Sequence, residues 1–215
     1  MKNLVNNDLF KNIKDDDIDN IIKEFKLEKY DKNKLIFMEK DIIDRFFIIE
    51  QGKIEISKFD IDGKKNIVTI LNTQDMFAES IALAMTNISP YTITTLEKSN
   101  IYHIEVKNYL NLITKYPILA INMNKILAIK NTFLTFKIDC LSKRSIKDKV
   151  HELLRYYAII NDSFEIALPF NKTNLADFLC VDRSALSRVL TKMIDDNIFS
   201  YHHNKYYLNK EFFKM

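Results

Sequence analysis

At Pro117 the hydrophobic pattern of this chain changes period, and that change limits the folds open to it. After Pro117, Leu119, Asn122, Ile126, Ile129, Phe133, Phe136 and Cys140 recur at alternating spacings of three and four that repeat every seven, the pattern of a helix with a coiled-coil seam. A second row, Ala120, Leu127, Leu134 and Leu141, lies beside the first, so the apolar face is too wide for one partner. One row is expected to pack on the chain's own N-terminal region and the other to meet a second copy. The first row is taken as the dimer seam, with Leu119, Asn122, Ile126, Ile129, Phe133 and Phe136 as its members. Before Pro117 the segments KLIFM, RFFIIEQGKIEISKF, KNIVTILN and TITTLEKSNIYHIEV are short and rich in Ile, Phe and Val. Turn signals at Gln51-Gly52 and Asp62-Gly63 separate them. Residues 34–106 therefore read as an antiparallel roll of short strands, preceded by helical pieces in which Ile18, Ile21, Ile22 and Phe25 recur at helical spacing.

Beyond the long helix, LSKRS at 141–145 breaks the heptad pattern, and Ser145 with Asp148 three residues on predicts a capped helix over 146–160. Asn171 and Asp182 are N-caps for helices over 172–179 and 183–196, and IFSYHHNKYYL reads as two strands around a polar turn. The expected class is α+β, divided into a roll over 1–116, a dimerisation helix over 117–141 and a winged helix-turn-helix over 142–215.

Charge sharpens this division. From residue 141 onward 12 Lys and Arg face 9 Asp and Glu, while the rest of the chain is balanced at 20 of each. Four of the five arginines, Arg144, Arg155, Arg183 and Arg188, fall in that last third; arginine differs from lysine in its planar, bidentate bonding. No stretch approaches about 18 uninterrupted apolar residues, so no membrane span is expected. Cys140 and Cys180 stand apart with no CxxC pair, which predicts neither a disulfide framework nor a zinc site. A cytoplasmic protein is expected. No metal cluster, nucleophile–base pair or phosphate loop is apparent, so an enzyme is not expected.

The helix pair in NKTNLADFLCVDRSALSRVLTKMIDDNIF is joined by so short a turn that the helices must cross steeply, with Ala176 allowing close approach and Leu175, Leu179, Leu186, Val189 and Leu190 shared between them. Arg183, Ser184, Ser187, Arg188 and Lys192 then lie on one side of the second helix. Such a helix fits the DNA major groove, where Arg can bond guanine O6 and N7 together and Ser can contact a base or a phosphate. Lys172, at the start of the first helix, is a phosphate contact. The alternative is an amphipathic helix whose polar face is solvated or meets a protein.

These segments together resemble the Crp/Fnr family of bacterial regulators over nearly the whole chain. FFIIEQGKIEIS, DGKKNIVTIL and QDMFAES resemble its cyclic-nucleotide-binding-type roll, the seam helix its dimer helix, and LADFLCVDRSALSRVL its helix-turn-helix. The resemblance implies a homodimer on an inverted-repeat operator in double-stranded DNA, contact with RNA polymerase, and an effector pocket at Phe77, Glu79, Ser80, Ser89, Leu134 and Thr135. Members that bind cyclic nucleotides carry a Gly-Glu pair and, about ten residues on, an arginine for the phosphate. Here the pair is Ala78-Glu79, Ser89-Pro90 stands at the arginine's place, and no Arg or Lys occurs between Lys65 and Lys98. An unpaired buried phosphate is costly, so cyclic AMP is not expected and the effector is left open. No cysteine precedes Cys140, which disfavours an iron–sulfur cluster. Two further readings stay open, haem ligation by His103 and a thiol switch at Cys180, which occupies the turn position where the family prefers glycine.

Overall fold

The computed structural model describes residues 4–59, 61–63, 65–168, 170–203, 205–209 and 212–214. They form two compact units that meet inside one helix, residues 1–128 and 129–215. The change of period at Pro117 marks the start of that helix, α4 (Ile118–Ser142). The unit boundary lies at Ala128/Ile129, so the segment expected as a separate dimerisation helix is divided between the two.

The N-terminal unit opens on two short 3-10 turns and α1 (Asp15–Ile22), whose first turn carries Asp15, Asp16 and Asp17, negative charge placed where the helix dipole is positive. Eight strands follow: β1 (Lys26–Tyr30), β2 (Leu35–Phe37), β3 (Arg45–Gln51), β4 (Ile54–Phe59), β5 (Lys65–Leu71), β6 (Met76–Phe77), β7 (Thr92–Thr95) and β8 (Ser99–Glu105). A short helix, α2 (Glu79–Ala82), lies between β6 and β7, and α3 (Val106–Lys115) follows β8. The strands make two antiparallel sheets, in the orders β1-β8-β3-β6 and β2-β7-β4-β5. The Asp62-Gly63 signal is a true hairpin, joining the paired strands β4 and β5. The Gln51-Gly52 signal is not, because β3 and β4 belong to different sheets; the chain turns a corner there, with Gly52 at φ +115°.

Alternation along β3 decides what each sheet face buries. Phe46 meets Phe25 and Tyr109 outside the roll, whereas Phe47 stacks on Phe77 at 4.8 Å and also meets Phe37 of the facing sheet.

In the C-terminal unit α5 (Ile146–Asn161) is capped as expected, Ser145 Oγ accepting from the Asp148 amide at 3.0 Å. β9 (Glu165–Ile166), α6 (Lys172–Phe178), α7 (Arg183–Asp195), β10 (Phe199–His202) and β11 (Lys205–Leu208) complete it. The three strands pair in the order β10-β11-β9. Leu153, Leu154, Leu175, Leu179, Leu186 and Met193 are almost fully buried and form its core.

Most of the residues expected in the dimer seam lie in or against the chain's own cores. Leu119 and Asn122 are buried in the core of the N-terminal unit, and Ile126 packs against it. Asn122 Nδ2 donates to the Leu9 and Lys11 carbonyls at 3.0 and 2.8 Å, so this polar seam position ties down the chain's own N-terminal segment. In the C-terminal unit Phe136 stacks on Tyr156 at 3.8 Å, Phe133 meets Phe178 and Cys140 is fully buried. Of the six seam residues Ile129 alone is strongly exposed, at 67 %. The second row faces outward instead. Leu134 is 56 % and Ile138 68 % exposed, Leu127 packs partly buried against the N-terminal core as Ile126 does, and Asn124 and Asn131 complete an alternating 3–4 row with Ala120 and Leu141. The apolar positions of both rows are legible in sequence, but which row the chain's own cores consume depends on packing.

Candidate functional site

The sequence places α7 between a cap and a core. Asp182 Oδ1 accepts from the Ala185 amide at 2.9 Å and from Ser184 Oγ at 2.6 Å. The Ser184 hydroxyl, with the Ala185 amide, holds the Asp182 carboxyl below its ordinary range. Leu186, Leu190 and Met193 bury one face of α7. The opposite face is exposed and carries Arg183, Ser184, Ser187, Arg188 and Lys192. Asp182, Arg183, Ser184, Ser187 and Arg188 line a single open concavity. All five α7 residues expected from the sequence thus share one solvent face. Lys172 is also exposed, on the first residue of α6, which Asn171 caps through the Asn174 amide at 2.8 Å.

Between α6 and α7 the chain turns through Cys180 at φ +51°. That left-handed conformation explains a glycine preference there, since a side chain costs about 1–2 kcal/mol. Cys180 is exposed, whereas Cys140 is buried, donates its thiol to the Lys149 carbonyl at 3.3 Å and has its pKa pushed by burial up to about 11. In the hairpin after α7, Lys205 is ion-paired with Glu165 of β9, leaving His202 and His203 exposed at its tip. Asn204 of the same turn lies outside the described residues.

The residues expected to line a pocket in the roll are placed as follows. Ala78 adopts φ +66°, again a glycine-like conformation, just before α2. Glu79 is buried, Ser80 exposed, and Phe77 is consumed by the stack with Phe47. Ser89 is buried and satisfied locally: its hydroxyl donates to the Tyr91 carbonyl at 2.8 Å and accepts from the Tyr91 amide at 3.2 Å. The stretch between Lys65 and Lys98 supplies no Arg or Lys to pair with a phosphate, and Phe37, Phe47 and Phe77 pack on one another between the sheets. Leu134 and Thr135 belong to the C-terminal unit. Both are exposed, and the Thr135 hydroxyl donates to the Asn131 carbonyl at 3.1 Å.

His103 is 3 % exposed on β8, with Nε2 3.0 Å from Glu28 Oε1. Glu28 had no signal in the sequence, because it meets His103 only through the pairing of β1 with β8. Among the described residues no group of three or more His, Cys, Asp or Glu is arranged to hold a metal ion, and no helix is long and apolar enough to cross a membrane.

The order of elements is a two-sheet roll, a long helix, and a helical unit closed by a three-stranded sheet. Residues 27–116 match the sequence profile of the cyclic nucleotide-binding domain. The cyclic AMP receptor protein of Thermus thermophilus is 21 % identical over 191 residues, 88 % of this chain and 87 % of its own length. Among solved structures, CprK complexed with OCPA superposes with a TM-score of 0.73 at 14 % identity, covering 92 % of each chain. A CooA mutant from Carboxydothermus hydrogenoformans gives 0.67 at 20 % identity, over 91 % of this chain and 88 % of the other. These two structural likenesses concern the fold. The domain match and the relative make residues 27–116 similar to a cyclic nucleotide-binding domain and the chain similar over most of its length to a cyclic AMP receptor protein.

Proposed function

We propose that this chain is a sequence-specific DNA-binding transcription regulator that acts as a homodimer on an inverted repeat. The observation that carries the reading is the solvent face of α7, where two arginines and two serines surround one concavity on a helix with a buried back and a capped start. Helices of this kind enter the major groove N-terminus first, and half-sites of a symmetric dimer lie about one helical turn apart. Arg188 is assigned to a guanine in each half-site, Arg183 to a base edge or phosphate, and Ser184 and Ser187 to thymine methyls and phosphates. Lys172 and Lys192 supply charge to the backbone. The exposed row of α4, with Leu134 and Ile138, supports assembly through that helix. RNA polymerase is the expected partner on the promoter and the cytoplasm the expected compartment.

Binding selection from a random DNA pool tests the reading, with a palindrome as the expected product. Arg188→Ala is expected to cost about 1–3 kcal/mol and relax one symmetric position, whereas Lys172→Ala weakens all sequences alike. Recovery of no palindrome overturns it. If the winged helix served protein contact instead, duplex binding would lack the steep decline with salt that counterion release imposes.

The effector is not cyclic AMP in this reading. Isothermal titration is expected to detect no micromolar binding, for want of a cation beside Ser89; micromolar binding that tightened operator affinity would overturn this.

A further inference from the structure

Strand β1 lies at the edge of its sheet and is held by β8 alone. Their register sets Lys26 opposite His103 and Glu28 opposite Ile101, so Lys26, Glu28 and Tyr30 project on the same face as His103. The Glu28 carboxylate is gripped by two donors, His103 Nε2 at Oε1 and the Tyr30 hydroxyl at Oε2. A neutral imidazole that donates from Nε2 leaves Nδ1 a bare acceptor. That Nδ1 is buried and has no hydrogen-bond partner.

We propose that His103 and Glu28 form a proton-operated latch, which holds β1 on the roll in neutral solution and loosens it in acid. Protonation would place a new N–H donor and a positive charge at Nδ1, where no acceptor waits, and an unsatisfied buried donor is expensive. The other charged groups facing the ring reinforce or oppose this as follows. Arg45 of β3 and Lys26 of β1 disfavour a second positive charge, and Glu28 favours it. Glu105, two residues along β8, is already paired with Lys107 at 2.8 Å and Lys26 at 3.9 Å. Burial is the largest influence and pulls the imidazole below its ordinary value of 6.5. The sign follows. The unfolded or opened segment takes up a proton more readily than the closed one, so the latch is at full strength above about pH 6.5 and weakens as pH falls towards the lowered value.

Hydrogen exchange of the full chain between pH 7.5 and 5.5 tests this, with rates corrected for intrinsic pH dependence. The β1 and β8 amides over 26–30 and 99–103 are expected to open more often by up to about tenfold per pH unit below 6.5. His103→Gln keeps an amide donor for Glu28 and does not titrate, so its exchange should be flat with pH. Glu28→Gln keeps an acceptor for Nε2 but removes the charge that favours protonation of the closed latch, so the onset should stay near 6.5 and the opening should continue to lower pH before it levels off; this variant retains the imidazole if His103→Gln fails to fold. A wild-type profile without acid opening, the same opening in His103→Gln, or an opening that levels off at higher pH in Glu28→Gln would each overturn the latch.

Discussion

Leu134→Asp with Ile138→Asp is expected to convert the protein to a monomer and weaken operator binding by about 10²–10⁴-fold, the gain lost when two linked half-site contacts become independent. Both side chains are more than half exposed within the chain, so the charges do not disturb its own cores; they would be desolvated only across a subunit seam, where an unpaired carboxylate is costly. Asn124 and Asn131 in the same row are the polar positions that set register in such seams. Phe136→Ala is the contrasting change: stacked on Tyr156 in the C-terminal core, it should cost about 3–5 kcal/mol of stability and leave assembly unaltered in whatever remains folded. Sedimentation and thermal unfolding of the two variants separate the cases. An unaltered dimer in the double aspartate variant would show that the exposed row is not the seam.

Gly52→Ala is expected to cost the N-terminal roll about 3 kcal/mol or more, combining left-handed backbone strain with a forced overlap. At φ +115° the corner between β3 and β4 uses a conformation that side chains rarely adopt, and an added Cβ would sit 2.2 Å from Ser99 Oγ and 2.8 Å from Ser99 Cα. Ser99 cannot retreat easily: it is buried, starts β8, and its hydroxyl donates to the Glu97 carbonyl at 2.9 Å. Gly63→Ala is the control, at φ +76° in the β4–β5 hairpin with nothing within 4 Å of the added carbon, so it should show only the conformational part. Denaturant unfolding measures both; equal losses would mean that the close approach at Ser99 is relieved at no cost.

What could be read in the chain alone is what local chemistry dictates. Ser145, Asn171 and Asp182 cap their helices because each carries a short side chain that reaches an amide two or three residues on, and those bonds form as expected. The outward face of α7 follows from helical periodicity and from Leu186 and Leu190 needing a core. The missing cation near Ser89 is likewise a property of the chain. Tertiary structure decided the rest, because it concerns residues remote in sequence competing for the same space. Two apolar rows on α4 are equivalent until Asn122 meets the carbonyls of Leu9 and Lys11 and Phe136 meets Tyr156. A glycine after Gln51 signals a turn but not whether the next strand pairs back or crosses to another sheet. Glu28 finds His103 through a strand register that no spacing encodes. Local signals specify elements and their faces; which face is buried, and which polar atom goes without a partner, depends on long-range packing.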